Sequence, residues 1–156
     1  MLFNIVRSLV AVAAASLVVG CTNLRKQAVS NGHAGPLIVP SGDCDCASVG
    51  DTVYFDFESA KLRPDGRTTL VNQVNWLIKY PKVKIRIAGN CDDRGTEEYN
   101  LALGFRRANV DRDFLVAKGV ASDRISVVSY GKEHPIATGD NEQAWAKNRN
   151  ATTSIR

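Results

Sequence analysis

Apolar and basic residues alternate along Val83-Lys84-Ile85-Arg86-Ile87-Ala88. That two-residue period belongs to a strand with one buried face, and it predicts a strand from Lys82 to Ala88. Upstream, Thr52 to Phe55 reads as a first strand. Between the two, Leu70, Val74, Leu77 and Ile78 recur at helical spacing. Pro64 suits the first turn of that helix, and Tyr80-Pro81 ends it near Lys79. Gly89 and Gly95 then bracket a turn-rich loop. Thr96 can cap a long helix from Glu97 to about Lys118, with Glu97 and Glu98 at the positive end of its dipole and Gly119 as its stop. Ile125 to Ser129 predicts a third strand, Glu142 to Lys147 a short helix, and Ala151 to Ile155 a last strand. The alternation predicts an α+β sandwich, with helices packed on one face of a mixed β-sheet of about four strands.

The first 20 residues carry a different pattern. Arg7 precedes an almost wholly apolar run from Ser8 to Val19, which is too short to span a bilayer as a helix and reads as an export signal. The run ends in Leu17-Val18-Val19-Gly20-Cys21, which resembles a lipobox. On that reading a peptidase cuts before Cys21, and lipid on Cys21 anchors the chain. Thr22 after the cysteine, rather than Asp, implies sorting to the outer membrane. Residues 21–50 then form a lipidated N-terminus and a flexible linker, rich in Asn, Gly, Ser and Pro, and residues 51–156 form the folded domain.

Charge and cysteine content narrow the possible chemistry. The formal charge of +4 is spread along the chain, and no basic run interleaved with aromatics points to nucleic acid. Besides Cys21 there are Cys44, Cys46 and Cys91, an odd number for an exported chain. The spacing Cys44-Asp45-Cys46 fits neither a zinc pair nor a redox motif. A periplasmic thiol or metal protein built on these cysteines is therefore the rival reading from another class. No nucleophile–base pair, phosphate loop or metal cluster is evident, so the sequence predicts a non-enzymatic binding module without a cofactor.

The most informative stretch is Gly89-Asn90-Cys91-Asp92-Asp93-Arg94-Gly95, continued by Thr96-Glu97-Glu98-Tyr99-Asn100-Leu101-Ala102-Leu103-Gly104-Phe105-Arg106-Arg107. It places a carboxylate, Asp92, on a loop and a guanidinium, Arg107, on the helix that follows. A ligand carrying both an ammonium and a carboxylate needs such a pair. With Val53-Tyr54-Phe55-Asp56-Phe57, Val128-Ser129-Tyr130-Gly131-Lys132-Glu133 and Asn148-Arg149, this stretch resembles the OmpA-like peptidoglycan-binding domain family. The resemblance covers roughly residues 52–150 and the lipoprotein signal.

The resemblance implies that the ligand is the diaminopimelate of the peptidoglycan stem peptide. Asp92 would receive its ammonium and Arg107 its carboxylate, ideally through two parallel bonds. Phe57, Glu58, Asn100 and Leu103 fall at the family's other contact positions. Within the family the chain is most similar to outer-membrane lipoproteins of the Tol system, which implies anchorage to the periplasmic face of the outer membrane and TolB as a partner. A wall anchor with no Tol role is the nearest alternative. Asp93 and Arg94 are expected to be solvated loop charges, Arg149 to form a structural ion pair, and Trp76, Tyr99 and Trp145 to pack in the core or at its rim.

Several positions depart from the family pattern. Glu58 replaces a usual Asp, Asn90 a frequent His, and Phe105, expected to face solvent, a polar residue. Asn150 stands for a usual Arg, and Thr152-Thr153-Ser154 is more polar than the family's last strand. Asp111 falls on the helix face that carries Asn100, Leu103 and Arg107, where the family has an apolar residue. Its spacing of one turn lets its carboxylate reach Arg107, which then has two candidate partners, Asp111 and the ligand's carboxylate.

Overall fold

The computed structural model describes residues 49–156. Cys21, Cys44 and Cys46, with the expected signal, lipidation site and linker to residue 48, lie outside the described residues. The domain opens with β1 (Thr52–Tyr54) and α1 (Pro64–Lys79). It continues through β2 (Ile85–Asn90), α2 (Glu97–Ala117) and β3 (Ile125–Gly131), and closes with α3 (Glu142–Asn148) and β4 (Asn150–Ile155). The four strands form one sheet in the order β1-β4-β2-β3. β2 and β3 run parallel, and β4 is antiparallel to both β1 and β2. This is the expected α+β arrangement.

Strand pleat divides the sheet into two faces. Val53, Ile85, Ile87 and Ala151 point to the helices and are buried with Leu70 and Leu77 of α1 and Leu115 of α2. Arg86 and Tyr54 point the other way and are exposed. The polar residues of β4 are absorbed by specific partners. Thr153 is buried and donates to Gln73 Oε1 (3.1 Å), while Gln73 Nε2 donates to the carbonyl of Gly50 (2.8 Å). Asn150 donates to the Lys147 carbonyl (2.7 Å) and accepts from Asn90 Nδ2 (2.8 Å). Hydrogen-bonded in this way, buried polar groups do not carry the desolvation penalty of unpaired ones.

The ends of the helices follow the chemistry of their caps. Thr96 accepts from the Tyr99 amide (3.2 Å) and starts α2. Arg124 donates to the Leu77 and Tyr80 carbonyls (3.1 and 2.9 Å), placing a cation on the negative end of α1. β2 extends two residues beyond the expected strand, so Gly89 is not a turn glycine. It permits close packing instead. A Cβ on Gly89 would lie 1.8 Å from the carbonyl oxygen of Gly104, so α2 crosses β2 with backbone against backbone.

α2 buries Asn100, Leu103, Gly104, Arg107, Ala108, Asp111 and Leu115. The spacing is helical, but three of the seven are polar or charged, so hydrophobicity alone marks this face poorly. Asp111 is fully buried, as expected from its position, yet it makes no ion pair with Arg107. Long helical side chains lean toward the N-terminus. The Arg107 guanidinium follows that rule and reaches the Asn90 carbonyl, away from residue 111 one turn later. Both Asp111 carboxyl oxygens are left without a hydrogen bond among the described residues, and burial raises its pKa well above the ordinary carboxylate value.

Candidate ligand-binding site

Where β1 ends, the chain makes a tight turn through Asp56 and Ser59, closed by a 3.2 Å bond from the Ser59 amide to the Asp56 carbonyl. Glu58 sits in this turn at φ 51°, the left-handed region that favours glycine. Phe57 and Glu58 are exposed here. Opposite them, β2 delivers Cys91 and Asp92 to the start of α2.

Arg107 joins these segments. Its Nε donates to the Ser59 carbonyl (2.9 Å) and its Nη2 to the Asp56 carbonyl (3.1 Å). Its Nη1 donates to the Asn90 carbonyl (2.8 Å) and to Cys91 Sγ (3.4 Å). These contacts nearly exhaust the donors of a guanidinium. Arg107 is fully buried, and burial, reinforced by Arg149, pulls its pKa down from the ordinary value. A guanidinium remains charged even so. It therefore supplies fixed positive charge beneath the pocket, with little donor capacity left for the two parallel bonds expected of it. Burial likewise pushes the Cys91 thiol up, though Arg107 opposes the shift.

Asp92 is 4% exposed. Its Oδ2 accepts from Arg94 Nη2 and from Arg149 Nη1 (3.3 Å). Arg149 is also held by Glu142 (2.6 Å) and by the Phe55 carbonyl (3.2 Å), so it is a structural ion-pair residue as expected. Asn100 fixes the loop between Asp92 and α2 by donating to the carbonyls of Arg94 (2.7 Å) and Thr96 (3.1 Å). Leu103 lies one turn further along α2 and is buried.

Phe57, Glu58, Asp92, Asn100, Leu103 and Arg107 all line one cavity of about 480 Å³. They are the six pocket positions that the sequence singles out. Arg94, Tyr99 and Arg149 line it as well. Arg94 corrects an expectation: it is not a solvated loop charge. Its guanidinium lies between the rings of Phe57 (4.0 Å) and Trp145 (4.1 Å), and its bond to Asp92 raises its pKa. Only its position two residues after Asp92 hinted at this, because Trp145 is brought alongside by the fold.

A second cavity, about 380 Å³, lies on the outer face of the sheet and is lined by Tyr54, Arg86 and Tyr130 among others. No carboxylate lines it, so it cannot pair an ammonium with an anion as the first cavity can. Among the described residues no cluster of three or more His, Cys, Asp or Glu could hold a metal ion.

The cavity sits on a known scaffold. The OmpA family model matches residues 54–149, and the chain belongs to that family. It is 42% identical over 158 residues to the peptidoglycan-associated lipoprotein of Brucella melitensis, covering 97% of this chain and 94% of that one. It is 50% identical over 108 residues to the protein of the same name from Mesorhizobium japonicum, covering 69% of this chain and 64% of that one. Among solved structures, the peptidoglycan-associated lipoprotein of Burkholderia pseudomallei superposes with a TM-score of 0.69 at 39% identity, covering 74% of this chain and 98% of that one. The C-terminal domain of Helicobacter pylori MotB reaches a TM-score of 0.63 at 26% identity, over 68% and 84% of the two chains.

Proposed function

We propose that this protein is an outer-membrane lipoprotein that binds peptidoglycan non-covalently and tethers the membrane to the wall. It is a binding module and not an enzyme. The ligand is the diaminopimelate side chain of the stem peptide, whose ammonium approaches Asp92 and whose carboxylate enters the field of the pocket arginines. The observation that carries this reading is the convergence of one buried carboxylate, Asp92, and three guanidiniums, Arg94, Arg107 and Arg149, on a single cavity. Both Asp92 ion pairs use Oδ2, so an arriving ammonium meets a carboxylate that Arg94 and Arg149 already hold. Leu103 and Phe57 give the aliphatic part of the ligand an apolar surface.

The similarity to peptidoglycan-associated lipoproteins supports the wall-binding assignment. On this proposal Cys21 is the lipidated residue and TolB of the Tol system the protein partner. Co-sedimentation of the soluble domain with purified diaminopimelate-type peptidoglycan tests the central claim. Binding that is lost in folded Asp92→Ala is the expected result. Equal sedimentation of that variant and the unaltered domain would overturn the assignment.

A further inference from the structure

Two arginines share Asp92 Oδ2, but they are held very differently. Arg149 is buried and has Glu142 and the Phe55 carbonyl as further anchors. The side chain of Arg94 is 33% exposed, and Asp92 is its one charged hydrogen-bond partner among the described residues. Its Nε is buried and has no hydrogen-bond partner among the described residues. The two flanking rings of Phe57 and Trp145 fix its plane without satisfying its donors. An ammonium arriving at Asp92 meets this guanidinium as a competitor for the same carboxylate. A carboxylate arriving at the same rim meets it as a partner, and Arg107 beneath has little donor capacity to offer.

We propose that Arg94 is the residue by which the pocket selects a zwitterionic side chain over a simple amine. The ligand's ammonium takes Asp92 from Arg94, and the released guanidinium, kept at the rim by Phe57 and Trp145, turns to the ligand's carboxylate. One internal ion pair is exchanged for two intermolecular ones, and every charge stays paired. A lysine side chain also displaces Arg94 but brings no carboxylate to replace the ion pair it breaks, which is an element of selection against the wrong ligand. The proposal rests on the diaminopimelate reading given above and adds a role for a residue outside the six pocket positions.

The test is calorimetric titration with two stem tripeptides that differ only in carrying meso-diaminopimelate or lysine. The unaltered domain is expected to prefer the first. Arg94→Gln should weaken the diaminopimelate peptide by about tenfold or more, the scale of one charge-assisted hydrogen bond. It should at the same time leave the lysine peptide bound as tightly as before, or more tightly, because no internal cation remains to be displaced. Arg94→Lys, which restores the charge, should recover part of the preference. If Arg94→Gln keeps the original ratio of affinities, or weakens both peptides equally, the proposal is overturned. Should Arg94→Gln fail to fold, Trp145→Leu removes one face of the stack and must lower the same ratio. Asp92→Asn separates the two claims. If the unaltered domain binds neither peptide, or Asp92→Asn binds both normally, the diaminopimelate reading itself falls. If Asp92→Asn loses binding while Arg94→Gln keeps the ratio, only the role of Arg94 falls.

Discussion

Replacing Asp111 by valine should stabilise the domain. The carboxyl is fully buried, and neither oxygen has a hydrogen bond among the described residues. Leaving a polar group in that condition costs about 1–3 kcal/mol. Valine removes that cost and adds apolar contact worth about 0.8 kcal/mol per buried methylene equivalent. Its branched side chain gives back up to about 0.7 kcal/mol in helix propensity. The net expectation at neutral pH is a gain of roughly 1–3 kcal/mol. The pH dependence carries a second signature. The folded pKa of Asp111 is raised by burial, so its contribution is fully present below the unfolded pKa of about 3.9 and is lost as pH rises through the folded value. The valine variant should therefore gain most at the upper end of that window and least at acid pH, where only the cost of the unbonded neutral carboxyl is removed. Urea melts of both proteins at several pH values measure this. An Asp111→Asn variant, which cannot titrate but stays polar, should lose the pH slope without the full gain. A valine variant less stable than the parent, or one with an unchanged pH slope, would refute the argument.

Three further outcomes are expected. Asp92→Ala should abolish sedimentation with peptidoglycan while the domain stays folded, whereas Arg107→Ala should also lose at least about 3 kcal/mol of stability, because the carbonyls of Asp56, Ser59 and Asn90 lose their donor; sedimentation and urea melts of the same samples separate the two effects. Gly89→Ala should lower stability by about 3 kcal/mol or more, since its new methyl would meet the Gly104 carbonyl oxygen at 1.8 Å, and a melting temperature equal to the parent's would contradict the packing described. Cys21→Ser should release the full-length protein from the membrane fraction once peptidoglycan is digested, as read by fractionation and blotting.

Much of the fold was legible in the chain because its signals are local. Leu70, Val74 and Leu77 mark the buried face of α1, Pro64 its start, and Thr96 the cap of α2. The end of β2 was not legible. Gly89 looks like a turn residue until α2 is seen to lie against it, which is a fact about a residue fifteen positions away. The buried face of α2 was legible through spacing but not through hydrophobicity, because Asn100, Arg107 and Asp111 occupy it. The six expected pocket residues were found through resemblance to a family, and they do converge on one cavity. The partners of Arg107 and Arg94 were beyond reach. They are main-chain carbonyls and aromatic rings contributed by distant segments, and nothing in the local sequence encodes those meetings.

The arrangement of β1 bears on how such a domain carries tension. A pull applied at residue 50 runs along β1, which lies beside β4 in the register Thr52 with Thr152, Val53 with Ala151 and Tyr54 with Asn150. Force along that axis shears the ladder, so its hydrogen bonds resist together and are not peeled one by one. Past the strand, the Phe55 carbonyl accepts from Arg149, and the Asp56 and Ser59 carbonyls accept from Arg107. Those two guanidiniums stand in series with the strand and also line the pocket. The path that bears tension and the wall of the binding site thus share two side chains, Arg107 and Arg149.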